Sequence, residues 1–269
     1  MKAVTAVGIG LAVLMMIGAI FMEGGNPMSM LNIPAAMIVL GGTLGATMAS
    51  TSMEQMKAIP VLYKKSMSTE APNYRAEIDR IVSFAEKARR EGLLALDAEV
   101  GEIEDEFLRK GMQLVVDGTD PELVREILES EIEGMELRHK EAVAPFVQAG
   151  GFGPTLGILG TVCSLVHVLQ NLSDPSTLGP AISGAFIATL YGVGSANVVY
   201  YPVANKLKAL SSEEIELRTL TLEGILAIQA GDNPRVVEDK LIAFLSPEER
   251  VAEDGADAGD EKPKLAEAA

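Results

Sequence analysis

The sequence predicts an all-α membrane protein with four transmembrane helices and a helical cytoplasmic domain between the second and third of them. Three observations lead to this fold class. The 269-residue chain is 48% hydrophobic although 22% of its residues are charged, so apolar and charged residues must be segregated along it. The apolar part contains four long stretches without Asp, Glu, Lys or Arg, and the basic residues are confined to three other regions.

Each of the four charge-free stretches is long enough to cross a bilayer. A spanning helix needs about 20 apolar residues, because each residue adds about 1.5 Å against a hydrocarbon core of about 30 Å. The second stretch is diluted by Pro34 and several glycines, but the short loop after the first span favours a return crossing. The stretches are residues 3–22, 24–53, 142–173 and 175–205.

The 22 basic residues set the orientation, because Lys and Arg stay on the cytoplasmic side of a membrane. Residues 23–30 and 171–179, which join paired spans, contain none of them. With four spans, all the basic regions fall on one side, so both termini and the middle segment are predicted to be cytoplasmic. These regions hold Lys2, thirteen residues from Lys57 to Lys140 and eight from Lys206 to Lys264.

The middle segment is predicted to be helical. Thr119-Asp120-Pro121-Glu122 has the polar cap, proline and acidic first turn of a helix start, and no strong stop follows before residue 142. We therefore expect this helix to continue into the third span. The final residues are acidic and Ala-rich, which is typical of a disordered tail. The predicted regions are 1–52 (spans 1 and 2), 53–141 (cytoplasmic helical domain), 142–205 (spans 3 and 4), 206–250 (cytoplasmic C-terminal helices) and 251–269 (tail).

Composition argues against several functions. A single cysteine, Cys163, rules out an internal disulfide framework, and two histidines argue against a multi-histidine metal centre. The net charge of −16 argues against a nucleic-acid partner. No nucleophile–base pair, phosphate loop or metal motif is evident, so we expect neither an enzyme nor a cofactor.

The predicted spans carry hydroxyl groups but no acid. Because transported cations usually need an intramembrane acid, this chain either transports nothing or depends on a partner helix for that acid. Thr155, Thr161 and Thr189 could line a pathway, or each hydroxyl could bond to a carbonyl of its own helix. Small residues at every fourth position from Gly184 to Ala196 favour close helix packing.

Three other features have both a structural and a functional interpretation. Pro154 and Pro202 each remove a backbone hydrogen bond and form either a static bend or a hinge. His167 is either a packed interfacial side chain or a proton carrier. The charged run from Glu86 to Glu99 is either a solvated helix face or a contact surface.

Several motifs together resemble the MotA/PomA subunits of bacterial flagellar stators, and the likeness extends over about residues 1–250. The matching segments are Ala88-Arg89-Arg90-Glu91-Gly92-Leu93-Leu94-Ala95-Leu96, Ala149-Gly150-Gly151-Phe152-Gly153-Pro154-Thr155-Leu156-Gly157, Asp174-Pro175-Ser176, Gly179-Pro180-Ala181, Ala188-Thr189-Leu190-Tyr191-Gly192 and Pro202-Val203-Ala204-Asn205-Lys206-Leu207-Lys208.

The resemblance implies a homopentamer of this chain around two copies of a single-span MotB/PomB-type partner in the cytoplasmic (inner) membrane of a bacterium. The partner's aspartate would be the missing acid. Flow of H⁺ or Na⁺ would turn the pentamer, whose cytoplasmic domain would push a FliG-type rotor switch protein. Thr161 matches sodium-type members, which slightly favours Na⁺, whereas Thr189 is common to both types.

The resemblance also implies residue roles. Thr161 and Thr189 would face the ion path, with Thr155 as a further hydroxyl on the third span. Pro154 and Pro202 would couple ion flow to conformational change, which favours the hinge over the static bend. The rotor-facing charges would be Arg89, Arg90, Asp97 and Glu99, with Asp97 standing where many members have Glu.

Two other functions remain open at this point. A TolQ/ExbB-type energiser of another envelope machine also surrounds a single-span partner with an aspartate. Such proteins typically have three spans with the large cytoplasmic part after the first, which favours the stator. A passive membrane scaffold would need no ion flow, so dependence of ion flux or torque on Thr161 and Thr189 would distinguish a scaffold from a stator.

Overall fold

The computed structural model describes residues 4–68, 72–173, 175–245 and 250, so the predicted tail lies outside the described residues. The described residues are almost entirely helical. In chain order their helices are α1 (Val4–Met22), α2 (Ile33–Ser50), α3 (Met53–Ser68), α4 (Tyr74–Glu91), α5 (Glu106–Val116), α6 (Pro121–Gln170), α7 (Pro175–Ser195), α8 (Tyr201–Ala230) and α9 (Pro234–Ile242), with shorter helical turns at Pro27–Met30, Leu93–Leu96 and Asp97–Val100.

Four helical segments in the described part of the chain are long and apolar enough to cross a membrane. Each overlaps one of the charge-free stretches, so the prediction of an all-α chain with four candidate spans is confirmed. The helix predicted to start near Thr119 begins at Pro121 and continues through the third apolar stretch, giving 50 residues without a break. The four segments are Val4–Met22, Ile33–Ser50, Pro121–Gln170 and Leu178–Ala230.

The chain divides into two compact units, and unit 1 comprises Met1–Ala71 and Glu136–Ser212. It contains the apolar parts of the candidate spans. Its helices bury only small clusters, one of which includes Val39, Ile187 and Ala188. Helix α1 buries none of its residues. Apolar side chains that face outward in this way are suited to a lipid environment or to neighbouring membrane helices.

Unit 2 comprises Pro72–Met135 and Glu213–Ala269. Its helices surround a larger core of aliphatic side chains, in which Ile81, Leu128 and Ile225 are completely buried. Burial of each such side chain contributes about 1.5–3 kcal/mol. The two compact units are defined by contacts within the chain, whereas the five regions predicted from the sequence are defined by the membrane boundary. The five-region division therefore stays a prediction.

Candidate functional site

The apolar part of α6 lies extremely close to α7 where glycines face each other. A Cβ atom built on Gly192 would lie 2.4 Å from the backbone carbonyl oxygen of Gly153 and 3.0 Å from the Cα of Gly157. A Cβ on Gly157 would in turn lie 3.1 Å from the carbonyl oxygen of Ala188. Only residues without side chains fit such a backbone contact, so the glycines fix the separation of the two helices.

This close approach brings Thr161 of α6 and Thr189 of α7 together, and their hydroxyl oxygens are 2.6 Å apart. The Thr161 oxygen is also 3.0 Å from the carbonyl oxygens of Gly157 and Ala185. Each hydroxyl has one hydrogen to donate. If Thr161 donates to a carbonyl, Thr189 donates to Thr161, and the lone pairs of Thr189 stay available for a cation or for a proton donor.

Thr155 is placed differently from the other two threonines. Its side chain is exposed, and its hydroxyl donates to the carbonyl oxygen of Phe152 at 2.9 Å within the same helix. No hydrogen bond joins it to Thr161 or Thr189 in the described residues. The structure therefore brings together two of the three predicted ion-path residues, and the back-bonded arrangement describes the third.

In the described part of unit 1, the two apolar stretches that hold the threonine pair supply no carboxylate and no lysine or arginine side chain. The apolar stretches 142–173 and 175–205 contain no Asp, Glu, Lys or Arg. The described residues also hold no cluster of three or more His, Cys, Asp or Glu side chains. His167 is exposed near the end of α6, with its Nδ1 atom 3.4 Å from the side-chain nitrogen of Asn171. The pair can therefore offer oxygen ligands to a cation, but an acid must come from elsewhere.

The two predicted coupling prolines lie in different local structures. Pro154 lies inside α6, beside Gly153 of the glycine contact. Pro202 is the second residue of α8, and a π-helical turn, Ala196–Tyr200, joins α7 to this helix. In this turn the N–H of Tyr201 donates to the carbonyl of Ala196, five residues earlier. Single π-helical turns are frequent at functional sites, and a proline without an N–H is compatible with such a change of pattern.

Tyr191, which carries no assigned role in the sequence analysis, joins α7 to the start of α2. Its hydroxyl donates to the carbonyl of Met30 at 2.5 Å and accepts from the N–H of Asn32 at 3.2 Å. Asn32 in turn caps α2, because its side-chain oxygen accepts from the N–H of Ala35 at 3.0 Å. Non-helical backbone within an apolar layer needs such partners. The sequence feature that could have indicated this contact is a tyrosine in an apolar span, because a buried tyrosine hydroxyl requires a hydrogen-bond partner.

We expect Tyr191→Phe to destabilise the protein by about 1–2 kcal/mol, because it leaves the backbone groups of Met30 and Asn32 unsatisfied. Thermal unfolding of the purified full-length protein would measure the loss. Tyr63→Phe is the matched control, since the Tyr63 hydroxyl makes no hydrogen bond within the described residues. Equal unfolding temperatures for both variants and the wild type would show that the Tyr191 hydroxyl does not hold α2.

The predicted rotor-facing charges lie in unit 2, around the end of α4. Gly92, with a φ of 86°, ends α4, and Leu96 and Val100 anchor the following turns in the core. Arg89, Arg90 and Asp97 are exposed and make no ion pair within the described residues. The charges therefore sit on a short segment that is fixed by the buried residues on its other side.

Glu99 differs from the other three charges because it forms an ion pair with Lys87. The hydrogen bond from the Lys87 ammonium to Glu99 raises the pKa of that lysine above its ordinary value. The sequence analysis did not identify Lys87 as the ion-pair partner of Glu99, although Lys87 lies within one helical turn of Arg89 and Arg90. Three of the four predicted rotor-facing side chains are thus available to contact another protein, whereas the fourth, Glu99, is paired with Lys87.

Together the fold and this site define a class: helical, multi-pass membrane proteins with hydroxyl groups, and no acid of their own, between two closely packed spans. The model of the MotA/TolQ/ExbB proton channel family matches residues 99–219, and the model of the motility protein A N-terminal region matches residues 6–92. The chain belongs to the MotA/TolQ/ExbB proton channel family. The resemblance seen in the sequence is therefore confirmed.

Curated relatives cover nearly the whole chain. Motility protein A of Bacillus subtilis (strain 168) is 36% identical over 97% of this chain and 98% of its own length. Chemotaxis protein PomA of Vibrio alginolyticus is 35% identical over 86% of this chain and 90% of its own length. These names support the stator prediction and not the TolQ/ExbB-type energiser.

Solved structures of stator complexes resemble this protein closely. The structure of C. jejuni MotAB matches with a TM-score of 0.86 at 34% identity, covering 92% of this chain and 97% of that one. The flagellar MotAB stator complex of Bacillus subtilis matches with a TM-score of 0.85 at 36% identity, covering 92% and 98%. The shared fold therefore extends well beyond the candidate spans.

Proposed function

We propose that this chain is a flagellar stator subunit that, with a single-span MotB/PomB-type partner, couples cation flow across the cell membrane to torque on the flagellar rotor. The observation that carries the proposal is the similarity to MotAB stator complexes over 92% of the chain. The local geometry agrees with it. The Thr161–Thr189 pair offers oxygen atoms for an ion but lacks the acid that a partner would bring.

In this proposal the partner's aspartate lies near the threonine pair and binds the ion, while Thr189 supplies a further oxygen. Several copies of this chain, most simply five, surround two copies of the partner, so that each copy in turn presents its threonines to an aspartate. Pro154 and the turn before Pro202 allow α6, α7 and α8 to change shape as the aspartate gains and loses its ion. Because proline has no backbone N–H, the helix already lacks one hydrogen bond there, so bending costs less free energy than in an uninterrupted helix.

The proposed topology places both termini and the 53–141 segment in the cytoplasm of a bacterial cell, since the basic residues lie there. Unit 2 would then face the rotor, and Arg89, Arg90, Asp97 and Glu99 would contact a FliG-type switch protein. Exposure of the first three and their lack of partners in the described residues support this assignment. Charged contacts of this kind favour fast, reversible association.

The function can be tested by the swimming of a strain that lacks this gene. We expect cells with normal filaments that do not swim, and recovery of swimming when the gene is restored. Filament loss would indicate a role in assembly rather than torque. Normal swimming in a strain without a second stator gene set would overturn the proposal.

The same restored strain identifies the ion, for which Thr161 slightly favours Na⁺ over H⁺. Hydroxyl oxygens can replace part of a sodium ion's hydration shell, as oxygen ligands do for other hard cations. Swimming speed that rises with sodium concentration at fixed pH would assign Na⁺. A swimming speed that is independent of sodium concentration but changes with the proton gradient would assign H⁺.

We expect Arg89→Glu to abolish or strongly reduce torque while leaving the amount of protein in the membrane unchanged, because Arg89 is exposed and makes no ion pair in the described residues. Speed of tethered cells and immunoblots of membrane fractions would measure the two quantities. Arg235→Glu is the control, since it reverses an exposed charge at the start of α9 in the same unit. Loss of membrane protein in Arg89→Glu alone would make the residue structural.

A further inference from the structure

Helix α3 carries a charge opposite to that of the chain as a whole. The protein has a net charge of −16, whereas α3 contains Lys57, Lys64 and Lys65 against a single acid, Glu54. Neither Lys57 nor Lys64 makes an ion pair within the described residues. A local excess of unpaired positive charge in an acidic protein points to an anionic partner at this helix.

The position of α3 indicates where that partner would be. The helix begins three residues after the end of α2, and its inner face packs on residues of α1, α6 and α8. In the proposed topology, α3 follows the cytoplasmic end of α2, where the hydrocarbon core of a bilayer gives way to its headgroups. Its inner face contributes Ile59, Leu62 and Tyr63, and they pack with Ile9 of α1, Val143 and Phe146 of α6, and Val203, Ala204 and Leu207 near the start of α8.

The opposite face of α3 combines lysines with exposed apolar side chains. Met53 is 62% exposed and Val61 is 69% exposed. Lys57 and Lys64 are exposed as well. Positions 53, 57, 61 and 64 are spaced by three or four residues, so they share one side of the helix. Lysine stems lie along apolar surface while their ammonium groups reach toward phosphate, which is the pattern of helices that lie in a membrane interface.

We propose that this face of α3, formed by Met53, Lys57, Val61 and Lys64, binds anionic phospholipid headgroups of the cytoplasmic leaflet. The proposal rests on the cytoplasmic side assigned above to α3, but not on ion flow or torque. The two lysines bind the headgroup phosphates, and Met53 and Val61 contact the upper acyl chains. Charge and position together favour a lipid over an acidic protein, because the same face offers apolar side chains at the depth of the acyl chains.

The test uses the full-length protein with its partner, purified in a neutral detergent, and short-chain phosphatidylglycerol as the probe. Thermal unfolding at increasing lipid concentration gives the concentration at half-maximal stabilisation. We expect K57Q/K64Q to raise that concentration by roughly 25-fold, since each basic residue near an anionic headgroup contributes about a fivefold preference. K57R/K64R should behave as the wild type, as should K110Q, which removes a lysine from unit 2.

Two further probes decide the source of the anion. Phosphatidylcholine of the same chain length should stabilise the protein much less, and inorganic phosphate at equal concentration should not substitute for the lipid. Equal stabilisation by both lipids, or by free phosphate, would overturn the proposal, as would unchanged phosphatidylglycerol binding in K57Q/K64Q. If the double variant fails to assemble with the partner, K57Q and K64Q alone should each show roughly a fivefold effect by the same measurement.

Discussion

Replacing Gly192 by alanine is expected to abolish swimming and to lower the unfolding temperature of the purified protein. The added Cβ would lie 2.4 Å from the Gly153 carbonyl oxygen, which belongs to backbone and cannot turn away as a side chain can. Helices α6 and α7 would have to separate, which overpacking data put at about 1–3 kcal/mol. The separation would also break the 2.6 Å contact between Thr161 and Thr189. Swimming speed and thermal unfolding measure the two effects.

Gly194→Ala is the matched control for this prediction. It lies two residues away in the same helix, and a Cβ built there meets nothing within 4 Å. Alanine favours a helix over glycine by about 1 kcal/mol, so this variant should keep its stability or gain slightly. Normal swimming and unchanged unfolding of Gly192→Ala would show that the two helices are not in backbone contact in the working protein.

Replacing Arg218 by alanine is expected to destabilise unit 2 by about 2 kcal/mol, because hydrogen bonds to charged groups are worth about 1.5–3 kcal/mol. The guanidinium donates to both carboxylate oxygens of Asp105, at 2.6 and 2.7 Å, and lies 5.2 Å from the ring centre of Phe107. Asp105 also caps α5 by accepting from the N–H of Leu108. Without Arg218, a carboxylate that is 30% exposed keeps its charge but loses its counterion.

Lys110→Ala is the control for the arginine variant. Its ion pair with Glu131 spans 2.5 Å, but the lysine side chain is 50% exposed, so its loss should cost about 0.5 kcal/mol or less. Thermal unfolding of both full-length variants compares them directly. An equal loss in the two variants would mean that the Arg218–Asp105 pair contributes no more than a surface ion pair.

The same pair makes a pH dependence predictable. Burial opposes ionisation of Asp105, but the hydrogen bonds from Arg218 and from the Leu108 N–H outweigh it, so the pKa of Asp105 is lowered from 3.8. The pair therefore contributes stability above the ordinary pKa of an aspartate, and that contribution disappears as the pH falls through the lower value in the folded protein. The difference in stability between the wild type and Arg218→Ala should accordingly shrink in acid.

Glu77, which lies near the same pair, is expected to respond in the opposite direction. Burial raises its pKa, against the opposing charge of Arg80 at 3.5 Å and the hydrogen bond from Thr221. A raised acid pKa means that the folded state holds the proton more readily, so this residue adds stability as the pH falls through its folded value. Arg218 lowers the pKa of both carboxylates, and the effects of Asp105 and Glu77 on stability partly offset each other in acid.

The sequence by itself determined the four candidate spans, the long helix from Pro121 and the membership of the family. These properties depend on composition and spacing within single segments, such as the charge-free stretches and the cap at Thr119-Asp120-Pro121. The absence of acids from the spans is likewise a local property, and it gave the strongest reason to expect a partner. The motifs around Arg89, Pro154 and Thr189 are also contiguous in the chain, so they could be recognised without knowledge of the tertiary structure.

Only the tertiary structure decided which side chains meet. Thr161 and Thr189 are 28 positions apart, Arg218 and Asp105 are 113 apart, and Tyr191 and Asn32 are 159 apart. The same packing separates Thr155 from the other threonines and pairs Glu99 with Lys87. Spacing along a chain predicts which residues share a helix face, but contact between helices depends on how closely their backbones approach. In this protein glycine contacts such as Gly153 with Gly192 set that approach.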